Sequence, residues 1–84
     1  RGMHTVCAVM TDQFLTYSKA QGNDLCSPQV GFPGLKNGDH WCLCAPRWQE
    51  AFDDGMAPLI DLEATEESTL QIINIETLKK FAYN

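Results

Sequence analysis

The sequence predicts a small α+β domain with α/β-like order, a mixed β-sheet with helices packed on it in the order β-α-loop-β-α-β-β-α. Three observations carry that expectation. Short apolar runs such as Val6-Cys7-Ala8-Val9 and Trp41-Cys42-Leu43-Cys44 have strand length. The first two runs are each followed by a stretch with helical spacing and a cap or Pro at its start. Gly and Pro gather between these stretches rather than inside them. At 84 residues the chain makes a single domain, 1–84. A fold of this size buries only about 60 to 65% of the surface its unfolded chain exposes, so a partner chain, or a segment missing from this one, is expected to add stability.

The first strand is expected over 4–9. Thr11 then serves as N-cap for a helix over 12–20, with Met10 and Leu15 spaced as a hydrophobic staple and Gly22 closing the helix. Residues 23–38 hold Pro28, Pro33, Gly31, Gly34 and Gly38 and read as a long loop. Such a loop exceeds the about 4 to 6 residues that usually connect elements, so it is either functional or covers part of the core. The second strand, over 39–44, is apolar on both faces, which suits a central strand covered on both sides. Pro46 opens a second helix whose Trp48, Ala51 and Phe52 share one stripe, and Gly55 ends it. A third strand over 59–64, a turn at 65–68 and a return strand over 70–73 form a hairpin. Asn74 caps the last helix, with Ile75, Leu78 and Ala82 on one face and Lys79 and Lys80 in its final turn. Each strand-helix-strand unit is expected to cross over right-handed, giving parallel neighbours.

The net charge is −5, and the six Lys and Arg are scattered, so nucleic-acid binding is not expected. No apolar run approaches the roughly 20 residues that cross a bilayer, which leaves no membrane partner. No charged leader with an apolar stretch and a cleavage site precedes the first strand, so the chain is expected to be cytoplasmic. All four cysteines are accordingly expected to be reduced, with those at 7, 42 and 44 packed as small core hydrophobes.

The stretch Gly31-Phe32-Pro33-Gly34-Leu35-Lys36-Asn37-Gly38-Asp39-His40-Trp41-Cys42-Leu43-Cys44-Ala45 resembles the signature of DUF2237, a family of small bacterial and plastid proteins catalogued as a domain of unknown function. His4-Thr5-Val6-Cys7-Ala8, Gly22-Asn23-Asp24-Leu25 and Leu62-Glu63-Ala64-Thr65 agree with it, so the similarity runs over essentially the whole chain. Family members run longer at the N-terminus, where a Gly- and Cys-containing segment precedes the His-Thr-Val-Cys stretch. The resemblance therefore implies that this chain lacks that segment. It supplies no reaction, substrate or cofactor.

Three constellations could carry chemistry. His40, Cys7, Cys42 and Cys44, with His4 nearby in sequence, offer nitrogen and sulfur ligands for zinc, although the single residue between Cys42 and Cys44 departs from the usual spacing; the alternative is buried structural cysteine. Cys44 lies two residues before Pro46 with Arg47 in the first turn, so a helix dipole and a cation could favour its thiolate; the alternative is an inert core thiol. The glycine loop with Lys36 could cradle an anion, but turn formation is the simpler reading. The carboxylates Asp24, Asp39, Asp61 and Glu63 are read as solvated.

Two classes of function stay open. The first is a non-catalytic domain, without a cofactor, acting by homo-oligomerisation or by docking to a protein partner, for which Phe32, Trp41 and Trp48 would supply an apolar patch. The second is a small thiol- or metal-dependent protein using the Cys44/Arg47 neighbourhood. In either case a ligand site is expected at Asn23, Asp24, Cys44 and Arg47, where the long loop meets the end of the second strand and the start of the following helix.

Overall fold

In the computed structural model, which describes residues 4–83, β1 (Val6–Val9) pairs with β2 (His40–Leu43). Between them lies α1 (Asp12–Ala20), and after them come α2 (Ala45–Asp53), two 3-10 turns (Leu62–Ala64 and Glu67–Gln71) and α3 (Ile75–Lys80). A two-stranded sheet with three helices is a small α+β fold, as the composition pattern predicts.

The helix starts follow the capping chemistry read from the sequence. The Thr11 hydroxyl accepts from the Phe14 amide at 3.0 Å, and the Asn74 side chain accepts from the Glu76 amide at 2.7 Å. Pro46 stands in the first turn of α2, where its missing N–H removes no helical bond. Gly55, at φ 75°, supplies the left-handed residue after the α2 cap.

The strands run antiparallel, not parallel as the crossover argument expects. The reason lies between α1 and β2. After Ala20 the chain runs irregularly for the length of the glycine-rich segment and re-enters the sheet beside the end of β1 instead of its start. The Met10 amide donates to the Asp39 carbonyl at 2.7 Å and the Gly38 amide to the Met10 carbonyl at 2.8 Å. Those bonds set the register that places Cys7 opposite Cys42 and Val9 opposite His40. Within the segment, Gly34 sits against the Cys26 carbonyl at φ 88°, where a side chain would meet backbone.

The central position also moves. β1 is the covered strand, with Val6 and Ala8 fully buried and Cys7 nearly so, whereas β2 leaves His40 and Trp41 exposed. On its other side β1 meets residues 59–61: the Val9 amide donates to the Leu59 carbonyl and the Asp61 amide to the Cys7 carbonyl. Ile60 bridges to Ala8 and to Ala82. The expected third strand therefore exists only as these isolated bridges, and Leu62–Ala64 turns into a 3-10 helix. The expected hairpin return is the 3-10 helix Glu67–Gln71, which is anchored inward by the fully buried Thr69, whose hydroxyl donates to that of Thr5 at 2.8 Å.

The core gathers Val6, Ala8, Met10, Phe14, Leu15, Leu43, Trp48, Ile60, Ile73 and Leu78 from nearly every element. Of the α3 stripe, Leu78 is buried while Ile75 is exposed. α1 is tied to α2 by Tyr17, whose hydroxyl donates to Asp54 Oδ2 at 2.5 Å and approaches the Glu50 carbonyl. That bond to Asp54 is the main reason the phenol ionises at about 12 instead of the usual 10. Because the folded state holds the proton more tightly, the tether contributes fully below pH 10 and is lost as pH rises through about 12. The melting-temperature gap between wild type and Tyr17→Phe is thus expected to stay constant up to pH 10 and to close above it. A gap that persists unchanged at pH 12 would show that the hydroxyl's contribution does not depend on the proton it donates to Asp54.

Candidate functional site

The antiparallel register carries the cysteine chemistry. Cys7 and Cys42 face each other on β1 and β2 and are joined as a disulfide, while Cys26 is a free exposed thiol and Cys44 a free half-buried one. This corrects the expectation of four reduced cysteines. Cysteines on strands read as packing when each is considered alone; two placed directly opposite on paired strands lie within bridging reach.

The disulfide borders a cleft of about 430 Å³ lined by His4, His40, Trp41, Asp61 and Ala64. His40 and Cys42 lie two residues apart on one face of β2, so strand alternation alone brings an imidazole beside the cystine. The His40 ring meets Tyr83 edge-on at 5.8 Å, and its Nδ1 stands 3.9 Å from Asp61 Oδ2. The second Asp61 oxygen, Oδ1, is buried and has no hydrogen-bond partner. Asp61 is thus not the solvated carboxylate its sequence position suggests; what places it in the site is its backbone bond to Cys7, which only the tertiary structure supplies.

A smaller cleft of about 160 Å³ adjoins the first, sharing His4, Trp41 and Cys42 with it. Asn23, Cys44 and Arg47 line this one, so the structure brings together three of the four residues expected to form a ligand site. The long loop folds back to deliver Asn23, whose carbonyl accepts from the Ser18 hydroxyl at 2.7 Å. Asp24 is engaged elsewhere. Its Oδ1 accepts from the amides of Cys26 and Ser27, and the Ser27 hydroxyl followed by those amides holds its carboxyl below the ordinary range. Cys44 is the N-cap of α2 and makes no side-chain cap bond. Arg47 Nη1 donates to the Gln21 carbonyl at 3.3 Å and lies 3.5 Å from Glu50 Oε1, an exposed pair of small energetic weight.

Two other expectations resolve locally. In the glycine loop, the Lys36 amide and ammonium both bond Asp39, at 3.0 and 3.2 Å, and hold its carboxyl low. The loop's donors thus serve the chain's own carboxylate, which is turn formation. Of the alternative metal ligands His40, Cys7, Cys42 and Cys44, the two central ones are bonded to each other. Among the described residues no three His, Cys, Asp or Glu side chains are grouped to hold a metal ion.

What the fold and cleft define is a small α+β domain with a cross-strand cystine at the edge of an apolar concavity. A family model described as "Uncharacterized protein conserved in bacteria (DUF2237)" matches residues 1–82, and the chain belongs to that family. No curated protein matches it. Among the described residues no helix is long and apolar enough to cross a membrane.

Proposed function

We propose that the chain is a thiol–disulfide exchange domain acting through Cys7 and Cys42. One observation carries the reading: the cystine borders a cleft of about 430 Å³ that also presents two imidazoles. Cys7 is 7% exposed and Cys42 more open, so an incoming thiolate attacks Cys42 Sγ. The bond to Cys7 breaks, Cys7 leaves as a thiolate and takes up a proton, and the partner is held on Cys42 as a mixed disulfide. A second thiol attacks that mixed disulfide, releasing the oxidised partner and the Cys42 thiolate. The co-reactants are two thiols, and the cleft's apolar wall at Trp41 and Ala64 suits a small organic thiol or a cysteine side chain on a peptide.

The test is thiol trapping with glutathione. In Cys7→Ser the attacked sulfur stays free, and oxidised glutathione is expected to add one glutathionyl group at Cys42 faster than at the exposed Cys26. Modification confined to Cys26 would overturn the proposal.

A second reading, association of two copies, is favoured by one surface feature. Val30 is wholly exposed, and Trp41, 39% exposed, packs against Phe32 with ring centroids 5.3 Å apart. A second copy covering this apolar ground would give a homodimer. Light scattering at high micromolar concentration is then expected to give twice the monomer mass of 9.4 kDa, and a monomer would remove this reading.

A further inference from the structure

We propose that Asp61 is the hydrogen-bond acceptor for the Cys7 thiol in the reduced protein and thereby shifts the cystine toward its dithiol form. The proposal rests on the exchange reading and adds a positioning residue to that site.

The observation behind it is an unmet polar atom. Asp61 Oδ1 is buried and accepts nothing. Aspartate before a 3-10 helix ordinarily turns its carboxylate onto the helix amides, yet Asp61, the N-cap of Leu62–Ala64, makes no such bond. Its carboxylate instead lines the cleft that holds the cystine. The backbone fixes it there, because the Asp61 amide donates to the Cys7 carbonyl at 2.8 Å. Its other oxygen faces His40 Nδ1 at 3.9 Å, beyond hydrogen-bond length.

A cystine has no donor, so in the oxidised protein the buried oxygen stays unsatisfied, which is costly. Reduction changes the inventory. Two electrons and two protons from a dithiol cleave the bond between Cys7 and Cys42 and create an S–H donor on each sulfur. The Cys7 thiol then appears on the residue whose carbonyl the Asp61 amide bonds and in the cleft both residues line, within the reach of an acceptor that lacks a donor. The oxidised state thus carries a penalty that the reduced state relieves, and Asp61 raises the reduction potential without touching the incoming thiol.

The experiment equilibrates folded wild type, Asp61→Ala and Asp61→Leu, which remove the acceptor, with dithiothreitol buffers and measures the dithiol-to-disulfide ratio by alkylation and mass spectrometry. Both variants are expected to shift the equilibrium toward disulfide by about tenfold, or about 30 mV. A change within twofold in both variants overturns the proposal. Should neither fold, the wild-type protein answers by carbon-13 NMR: the Asp61 carboxyl resonance is expected to move on reduction, and an unmoved resonance overturns it. A cystine that resists dithiothreitol in the folded wild type overturns the exchange reading and this one together. A reducible cystine with unshifted variants overturns this one alone.

Discussion

Replacing Trp48 with alanine is expected to lower the unfolding free energy by about 4 kcal/mol, the range seen when a fully buried large aromatic is truncated. Trp48 is 0% exposed and is the centre of an aromatic trio: Phe52 stacks on it at 5.6 Å, Phe81 meets it edge-on at 5.3 Å, and those two contact each other at 5.4 Å. The indole N–H also donates to the Pro58 carbonyl at 3.0 Å, so truncation leaves a buried acceptor without a partner in addition to a cavity. A domain of this length is held by about 4 to 13 kcal/mol in total. The substitution is therefore expected to lower Tm by about 15 °C or more, and to unfold the chain at 37 °C if the reserve is at the low end. Trp48→Phe keeps most of the packing and loses the hydrogen bond, so its cost should fall well below that of alanine. Urea unfolding of the two variants checks both statements. Equal losses would show that the bond to Pro58 outweighs the ring packing.

That trio shows which parts of the fold the sequence exposes. Trp48, Ala51 and Phe52 fall on one helical stripe, and the structure buries Trp48 and Ala51 through it. Thr11, Pro46 and Asn74 mark their helix starts by chemistry confined to a few neighbouring residues, which is why all three are readable without tertiary information. Strand direction is different. It depends on where the chain re-enters the sheet after the glycine-rich segment, and that is settled by the Met10 bonds to Gly38 and Asp39 across the molecule. Leu62-Glu63-Ala64 shows the same limit from the other side, since residues that alternate like a strand turn into a 3-10 helix once Ile60 has paired with Ala8 and Ala82.

The site divides in the same way. Asn23, Cys44 and Arg47 could be placed together because a loop, a strand end and a helix start converge at the edge of a sheet, and they line one cleft. Asp24 left that group through an Asx turn within its own loop. His4, His40, Cys7 and Cys42 could be grouped as ligands on neighbouring strands, but the bond between the two cysteines and the place of Asp61 beside them could not be read that way. The pairing of Cys7 with Cys42 follows from antiparallel register, and Asp61 arrives through its bond to the other side of β1; a parallel arrangement would place different residues opposite Cys7.

Removing the cystine is the second change expected to cost most. Cys7 and Cys42 are separated by 35 positions, and the loop they close holds α1 together with the whole irregular segment up to β2. A cross-link over a loop of that length restricts the unfolded chain by about 4 kcal/mol in the chain-entropy account. Cys7→Ala/Cys42→Ala is expected to lose roughly that amount, less whatever the register bonds at Met10 retain in the unfolded chain. The wild-type protein in dithiothreitol should show nearly the same loss, and the double variant should be indifferent to the reductant. Urea midpoints measured with and without dithiothreitol make the comparison. If dithiothreitol shifts the wild-type midpoint while the double variant matches the oxidised protein, the loop-closure account fails and the cost belongs to the thiols themselves. If the double variant is the weaker by about 4 kcal/mol yet still folds cooperatively, the domain can lose and regain its cross-link without losing its structure, as an exchange cycle through Cys42 requires.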